Sequence, residues 1–251
     1  MKRPYRILLT LAGALALTAI VIAANVVRSR SQVRGVEADI RYGRTERLVD
    51  ERVVVDSIVA AIPQLPAMQV RQVDCGAVAA AARRVPYLCN VTASVSVSGK
   101  VVVRADQRRP VARLIYGGRA FYIDRDGAVM PMSDIGDCDV LVAGGDFVEP
   151  FRADSLNGQT AALLKLANYL DSERRYRGMI DQIYVERDGD MMMVPKLGGH
   201  VVELGEVERL DEKFANLWLF YLKGMPRAGW NTYSRISLKY EGQVVCTKET
   251  K

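Results

Sequence analysis

The chain has 251 residues and 49% hydrophobic content, enough to pack two small domains or one large one. Its formal net charge is +6, but the first 36 residues hold six Lys/Arg and no acid, which leaves 29 bases against 29 acids in the remainder. A neutral body excludes the basic footprint of a nucleic-acid-binding protein, so no nucleic-acid partner is expected.

After "MKRPYR", the run "ILLTLAGALALTAIVIAANVV" from Ile7 to Val27 carries no charge over 21 residues. As a helix it would be about 31 Å long, close to the hydrocarbon thickness of a bilayer. The sequence therefore predicts a transmembrane helix over 7–27 behind a cytoplasmic tail, 1–6. A cleaved signal peptide is the alternative, with Ala23-Ala24 as its cue, but signal apolar regions run only about 7–15 residues. The flanking charges tie, with Lys2, Arg3 and Arg6 against Arg28, Arg30 and Arg34. A short tail before a span and a long domain after it predict a single-pass inner-membrane protein whose body lies in the periplasm. Four cysteines, Cys75, Cys89, Cys138 and Cys246, show no CxxC spacing and read as buried apolar residues rather than bridges.

Past the span, residues 33–42 predict a strand with Val36, Ala38 and Ile40 on one face. "ERVVVDSIVAAI" (51–62) predicts a helix with Val54, Ile58 and Ile62 at helical spacing, stopped by Pro63 and Pro66. A second helix is predicted over 75–85, N-capped by Asp74 and ended by Pro86. "NVTASVSVSGKVVVRAD" predicts a hairpin around Ser98-Gly99, with Val91, Ala93, Val95 and Val97 alternating with polar residues. The order is strand, helix, helix, strand, strand.

Beyond it, "QRRPVARLIYGGRAFYIDRDGAVMPMS" predicts strand, turn, strand, with turn signals at Gly117-Gly118 and Asp126-Gly127. A helix over 160–176 should bury Leu163, Leu166 and Leu170. Three strands follow in 179–205, linked by Asp188-Gly189 and Gly198-Gly199. A last helix, 206–222, carries Val207, Leu210, Phe214, Leu217 and Tyr221 on one stripe, and a closing hairpin ends the pattern. Trp218 is expected in the core, and Trp230 partly buried.

The residues that carry chemistry are few. His200 is the one histidine, and hydrolytic triads and zinc sites commonly need histidine with placed partners. A Cys246–His200 pair would suit a wall-active enzyme, but no nucleophile motif surrounds Cys246. His200 reads instead as a strand-end histidine bonded to backbone. "ERDGD" (186–190) hints at a calcium loop, yet lacks the twelve-residue ligand pattern and fits a hairpin turn. Asp124 and Asp126 likewise fit a tight turn. The Gly-Gly pairs at 117, 144 and 198 match no phosphate-binding fingerprint, and "MMMV" (191–194) reads as strand core. No catalytic, cofactor-binding or metal-ligating residue, cofactor or small-molecule substrate is expected. The chain reads as an anchored binding module.

The strand-helix-helix-strand-strand order just past a single span is that of a POTRA domain, and the chain resembles the FtsQ/DivIB family of bacterial cell-division proteins in its Bacteroidetes form. The likeness rests on "VPYLCNVTASV" (85–95), similar to the family's Pro-aromatic segment, and "QRRPVARL" (107–114), similar to its basic-Arg-Pro-hydrophobic strand. It rests also on "FYIDRDGAVMP" (121–131), like its Asp-x-x-Gly hairpin, and "ISLKY" (236–240), like the strand near its C-terminus. Ser237 stands where the wider family often has Asp, and Lys239 where it has Arg. The resemblance implies an α+β fold: the transmembrane helix, a POTRA domain (βααββ) over 33–106, and a mixed α/β "β domain" over 107–251 whose extended sheet ends in a C-terminal hairpin. It implies a non-enzymatic divisome scaffold at the septum that links early and late division proteins to septal peptidoglycan synthesis. The implied partners are FtsB/FtsL-like single-span coiled-coil proteins and FtsW/FtsI-like septal synthases. A POTRA-bearing subunit of protein export or outer-membrane assembly, and more remotely the wall enzyme, are the alternatives.

Read by itself, "RISLKYEGQVVCTKETK" predicts a hairpin with a two-residue Glu241-Gly242 loop, pairing Tyr240 with Gln243, Leu238 with Val245 and Ile236 with Thr247. Those six would face the domain, with Arg235, Ser237, Lys239, Val244, Cys246 and Lys248 on the other side. A last strand keeps one row of backbone groups free, to be blunted by Lys248 and Lys251 or used as a docking rail. Under the resemblance this edge takes the FtsB-like partner. The candidate binding residues are Lys239, Tyr240, Gly242, Gln243, Val244, Val245, Cys246, Thr247 and Lys248.

Overall fold

The computed structural model describes residues 13–20, 31–148, 151, 156 and 158–248. Residues 13–20 are helical. The remainder of the predicted span, the tail 1–6 and Lys251 lie outside the described residues, among which no helix is long and apolar enough to cross a membrane. The fold is mixed α+β, and the chain divides into two compact units, Met1–Gln107 and Arg108–Lys251.

In the first unit, β1 (Val36–Arg41) pairs in parallel with β3 (Val101–Gln107), which pairs antiparallel with β2 (Leu88–Val95). Two helices, α1 (Glu51–Ala61) and α2 (Cys75–Ala82), come between β1 and β2 in sequence. Asp74 starts α2 by accepting hydrogen bonds from the N–H groups of Gly76 and Ala77 at 2.8 and 3.1 Å, satisfying donors that a helix start leaves unpaired. The helix ends at Ala82, three residues before the predicted end, and the chain tightens there into a turn in which Arg84 and Val85 donate to the Ala81 and Ala82 carbonyls at 3.1 Å, just ahead of Pro86. Val54 and Ile58 of α1 and Val78 and Ala82 of α2 close on Ile40, Val91, Val101 and Val103 of the sheet. Val97, expected on that inward face, lies past the end of β2 in the Ser96–Lys100 turn and is 82% exposed.

The second unit is a nine-stranded sheet in the order β12-β11-β10-β9-β8-β7-β4-β5-β6. Its strands are β4 (Pro110–Tyr116), β5 (Arg119–Asp124), β6 (Val129–Pro131), β7 (Leu141–Gly145), β8 (Ile180–Val185), β9 (Met191–Pro195), β10 (Val201–Gly205), β11 (Tyr233–Ser237) and β12 (Val245–Lys248). The helices are α3 (Gly158–Ser172), α4 (Leu210–Lys223) and the short α5 (Met225–Ala228). Leu163, Leu166 and Leu170 of α3 share one core with Phe214 and Leu217 of α4, and with Leu114, Ala143, Ile183, Met193, Val202 and Ile236 from six strands. Burial of each large side chain there contributes about 1.5–3 kcal/mol. Trp218 and Trp230 pack partly buried against that core, so Trp218 is less enclosed than expected.

Three local features depart from the sequence reading. The stretch read as strand, turn, strand contains a third strand, β6, on the far side of the Asp126-Gly127 turn. The helix predicted from 206 begins at Leu210, because Arg209 before it has φ +49° and cannot belong to a right-handed helix. Finally, β7 was not expected at all, yet it pairs in parallel with both β4 and β8 and joins the two halves of the sheet.

Candidate partner-binding edge

The closing hairpin forms in a register one residue away from the predicted one. Ser237 lies opposite Val245, Ile236 opposite Cys246, and Arg235 opposite Thr247. A one-residue slip turns every side chain of a strand to the other face. Cys246, expected outward, therefore turns inward beside Ile236 and packs against the core, as does Val244. Val245 and Thr247, expected inward, face out; Val245 is 43% exposed. The cause lies in the turn. A two-residue type I′ loop needs positive φ at both central residues, and a type II′ loop needs it at the first. Only Gly242 adopts it, at φ +65°, while Glu241 does not. The chain instead leaves the sheet after Leu238, whose N–H still donates to the Glu203 carbonyl at 2.8 Å, and returns at Val245.

The connection 239–244 is held at four points, one of them the Arg209–Glu241 ion pair at 3.7 Å. Lys239 lays its stem over Gly205 and pairs its ammonium with Asp190, which raises the lysine's pKa above the ordinary value. The N–H of Gln243 donates to the Tyr240 carbonyl at 3.3 Å. The N–H of Gly242 donates to Glu212 Oε1 at 2.9 Å, so α4 anchors the turn. Tyr240 is left 59% exposed at the rim. β12 itself has β11 on one side and no strand on the other among the described residues.

The nine candidate residues thus separate by geometry. Tyr240, Gln243, Val245, Thr247 and Lys248 are exposed on the connection or the edge. Lys239 is already paired, Gly242 is tied to Glu212, and Val244 and Cys246 are turned to the core. Sequence reasoning missed Asp190, Arg209 and Glu212, which fix the connection from elsewhere in the chain. No local signal marks such long-range partners. The disfavoured Glu at the first turn position was, however, a readable sign against the two-residue loop.

Other groups singled out from sequence fall away from this edge. His200 is 1% exposed, and its Nε2 lies 2.7 Å from the Tyr221 hydroxyl; it is bonded to that side chain rather than to backbone as expected. Burial lowers its pKa, and Nδ1 has no hydrogen-bond partner among the described residues. Burial pushes the Cys246 thiol up, the opposite of what a thiolate nucleophile needs, and Cys246 makes no hydrogen bond with His200 among the described residues. The carboxylates of Glu186, Asp188 and Asp190 come within 4.8 Å of one another in the β8–β9 turn, where the Lys239 ammonium supplies a cation to Asp190. Asp124 receives the N–H groups of Asp126 and Ala128 at 3.0 and 2.7 Å, which makes it the organiser of the β5–β6 turn. All four cysteines are free thiols.

Comparison with known proteins adds the family. No curated protein matches the chain. The family described as FtsQ/DivIB, C-terminal related matches residues 109–247, which run from just before β4 into β12 and take in the whole sheet with its helices. The match covers more than half of the chain, which therefore belongs to the FtsQ/DivIB-related family of cell-division proteins.

Proposed function

We propose that this cell-division protein is a membrane-anchored scaffold whose last strand docks a small single-span coiled-coil protein of the FtsB/FtsL kind, and so links it to septal wall synthesis. The span at 7–27 holds it in the inner membrane with the body in the periplasm, and the first unit is its POTRA domain. The β1-α1-α2-β2-β3 order of that unit supports the POTRA reading. One observation carries the docking: β12 is a four-residue strand at the end of a nine-stranded sheet, antiparallel to β11 and bare on its outer side among the described residues. Every other residue of such a strand points its N–H and C=O away from the sheet, and an added strand takes up those groups while alternate side chains give selectivity. Val245 and Thr247 lie on the open face for that second purpose, and Tyr240 stands at the rim.

A photocrosslinking amino acid at Thr247, incorporated in growing cells, tests the docking. The expected adduct, identified by mass spectrometry, is one small single-span coiled-coil protein, lost when Cys246 or Val245 is replaced by proline in a chain that still folds. No adduct from a normally expressed, folded chain overturns the proposal. A smear of nascent outer-membrane proteins also overturns it and points to export.

A further inference from the structure

Asp171 sits one residue from the C-terminal end of α3, where the helix dipole already disfavours a carboxylate. Three guanidinium groups from three separate elements converge on it. Arg109, just ahead of β4, places Nη2 2.5 Å from Oδ1. Arg125, in the β5–β6 turn, places Nη2 2.8 Å from Oδ2. Arg177, in the α3–β8 connection, lies 3.6 Å from Oδ1 and donates from Nε and Nη2 to the Asp171 backbone carbonyl at 2.8 and 2.5 Å. The carboxylate is largely enclosed, its side chain 13% exposed, while the three arginines stay 52%, 56% and 53% exposed.

One arginine suffices to neutralise a carboxylate, as Arg108 does for Asp124 at 2.6 Å in the same unit. Three leave a surplus of two positive charges gathered on a single point. Each guanidinium carries five N–H donors in a planar fork, and most of those on Arg109, Arg125 and Arg177 make no bond among the described residues. One guanidinium already satisfies the enclosed carboxylate, and each further one adds repulsion between like charges whose ends are half exposed to water. The surplus matches a phosphate group, which carries about two negative charges at neutral pH and presents oxygens on several sides to forks arriving from different directions. A single carboxylate would neutralise only half of it.

We propose that Arg109, Arg125 and Arg177 form a binding site for a phosphate group, as free inorganic phosphate or as the phosphomonoester of a lipid headgroup, with Asp171 as the internal anion that holds the three forks together and competes with the ligand. The site is separate from the β12 edge and stands or falls independently of it. Inorganic phosphate is titrated into the full chain in zwitterionic detergent at low ionic strength, following the arginine Nε–H resonances. A parallel arm replaces the phosphate with micelles containing phosphatidic acid, against phosphatidylcholine as control. Saturable binding is expected in at least one arm, and which arm saturates assigns the source. Replacing Arg125 and Arg177 together by Gln should weaken it by about tenfold or more. Asp171→Asn should tighten it by about threefold, a gain that misfolding cannot imitate. Absence of saturation in both arms, equal binding by the double variant, or no tightening in Asp171→Asn overturns the proposal.

Discussion

In the first unit, the sheet face away from α1 and α2 carries Glu37, Asp39 and Arg41 on β1, paired across the strands with Lys100, Arg104 and Asp106. In the second unit, the corresponding face away from α3 and α4 carries Ile115, Tyr184, Met192, Val194 and Val201. Strand register places these in two rows. One runs Ile115, Gly144, Tyr184, Met192, Glu203, Ser237, Val245, and the other runs Val142, Gln182, Val194, Val201, Arg235, Thr247. Both units thus solve the inner face alike, with aliphatic side chains under two helices, and solve the outer face differently. The first completes its surface with charges that water and ion pairs satisfy. The second carries apolar side chains over its middle strands, from Ile115 to Val201, and the Glu203–Arg235 ion pair lies between them and the edge strand.

The comparison breaks most severely at Gly145, the last residue of β7. It has φ +145°, and a Cβ there would stand 2.1 Å from the Val185 carbonyl oxygen and 2.6 Å from its nitrogen. Backbone cannot yield as a flexible side chain can, so the strand that joins the halves of the nine-stranded sheet has to move. Gly145→Ala is expected to destabilise the second unit by more than about 4 kcal/mol, in the range reserved for named steric failures. The first unit has its own core and should keep its melting transition in calorimetry. Loss of both transitions would show that the two units unfold as one.

Gly145 also shows where the sequence stopped being legible. The helices could be read because their apolar residues recur at helical spacing, and Leu163, Leu166 and Leu170, or Phe214 and Leu217, are buried as that spacing requires. Hairpin strands could be read from alternation between turn residues. β7 has neither: "LVAGG" is short, its two glycines are turn signals by composition, and its partners β4 and β8 lie far away in sequence on parallel crossovers. The edge strand was legible as a strand and illegible in register, since register depended on whether Glu241 would accept positive φ. The Lys239–Asp190 pair and the Glu212–Gly242 bond, which fix the connection, come from contacts over sequence distances that no local pattern encodes.

Acid should separate the two units next. His200 is the chain's one histidine and lies buried in the second unit, where desolvation lowers its pKa. The unfolded chain binds that proton from about pH 6.5 downward and the folded chain only at lower pH, so stability falls as pH drops through that window. One proton sets the slope at no more than about 1.4 kcal/mol per pH unit. In the first unit, the Asn90 amide and then the Arg41 guanidinium hold the Asp106 carboxyl below its ordinary value. Its contribution is present above the unfolded aspartate pKa of about 3.9 and lost only below it. Thermal melts from pH 7 to 5 should therefore lower the second unit's transition and leave the first in place. A His200→Gln chain, whose second unit no longer responds over that window, would tie the response to this ring; equal shifts in both units would refute the assignment.

The smallest effects test the outer faces themselves. Arg104 pairs with Asp39 at 3.5 Å, both more than half exposed, so Arg104→Ala should cost no more than about 1 kcal/mol and lose that effect at high salt. Val194 on β9 has its side chain on the open face, and Val194→Thr keeps the β-branched shape while adding a hydroxyl that water can satisfy. Its cost should stay within about 0.5 kcal/mol and show no salt dependence. Binding of an apolar fluorescent dye offers the complementary reading, since dye uptake reports exposed apolar surface. It should fall when Tyr184 and Val194 are both replaced by Thr, and stay unchanged when Arg104 is replaced by Ala. If Val194→Thr instead cost as much as a core substitution, about 1 kcal/mol or more, the face would be packed rather than open, and the contrast between the two sheets would be lost.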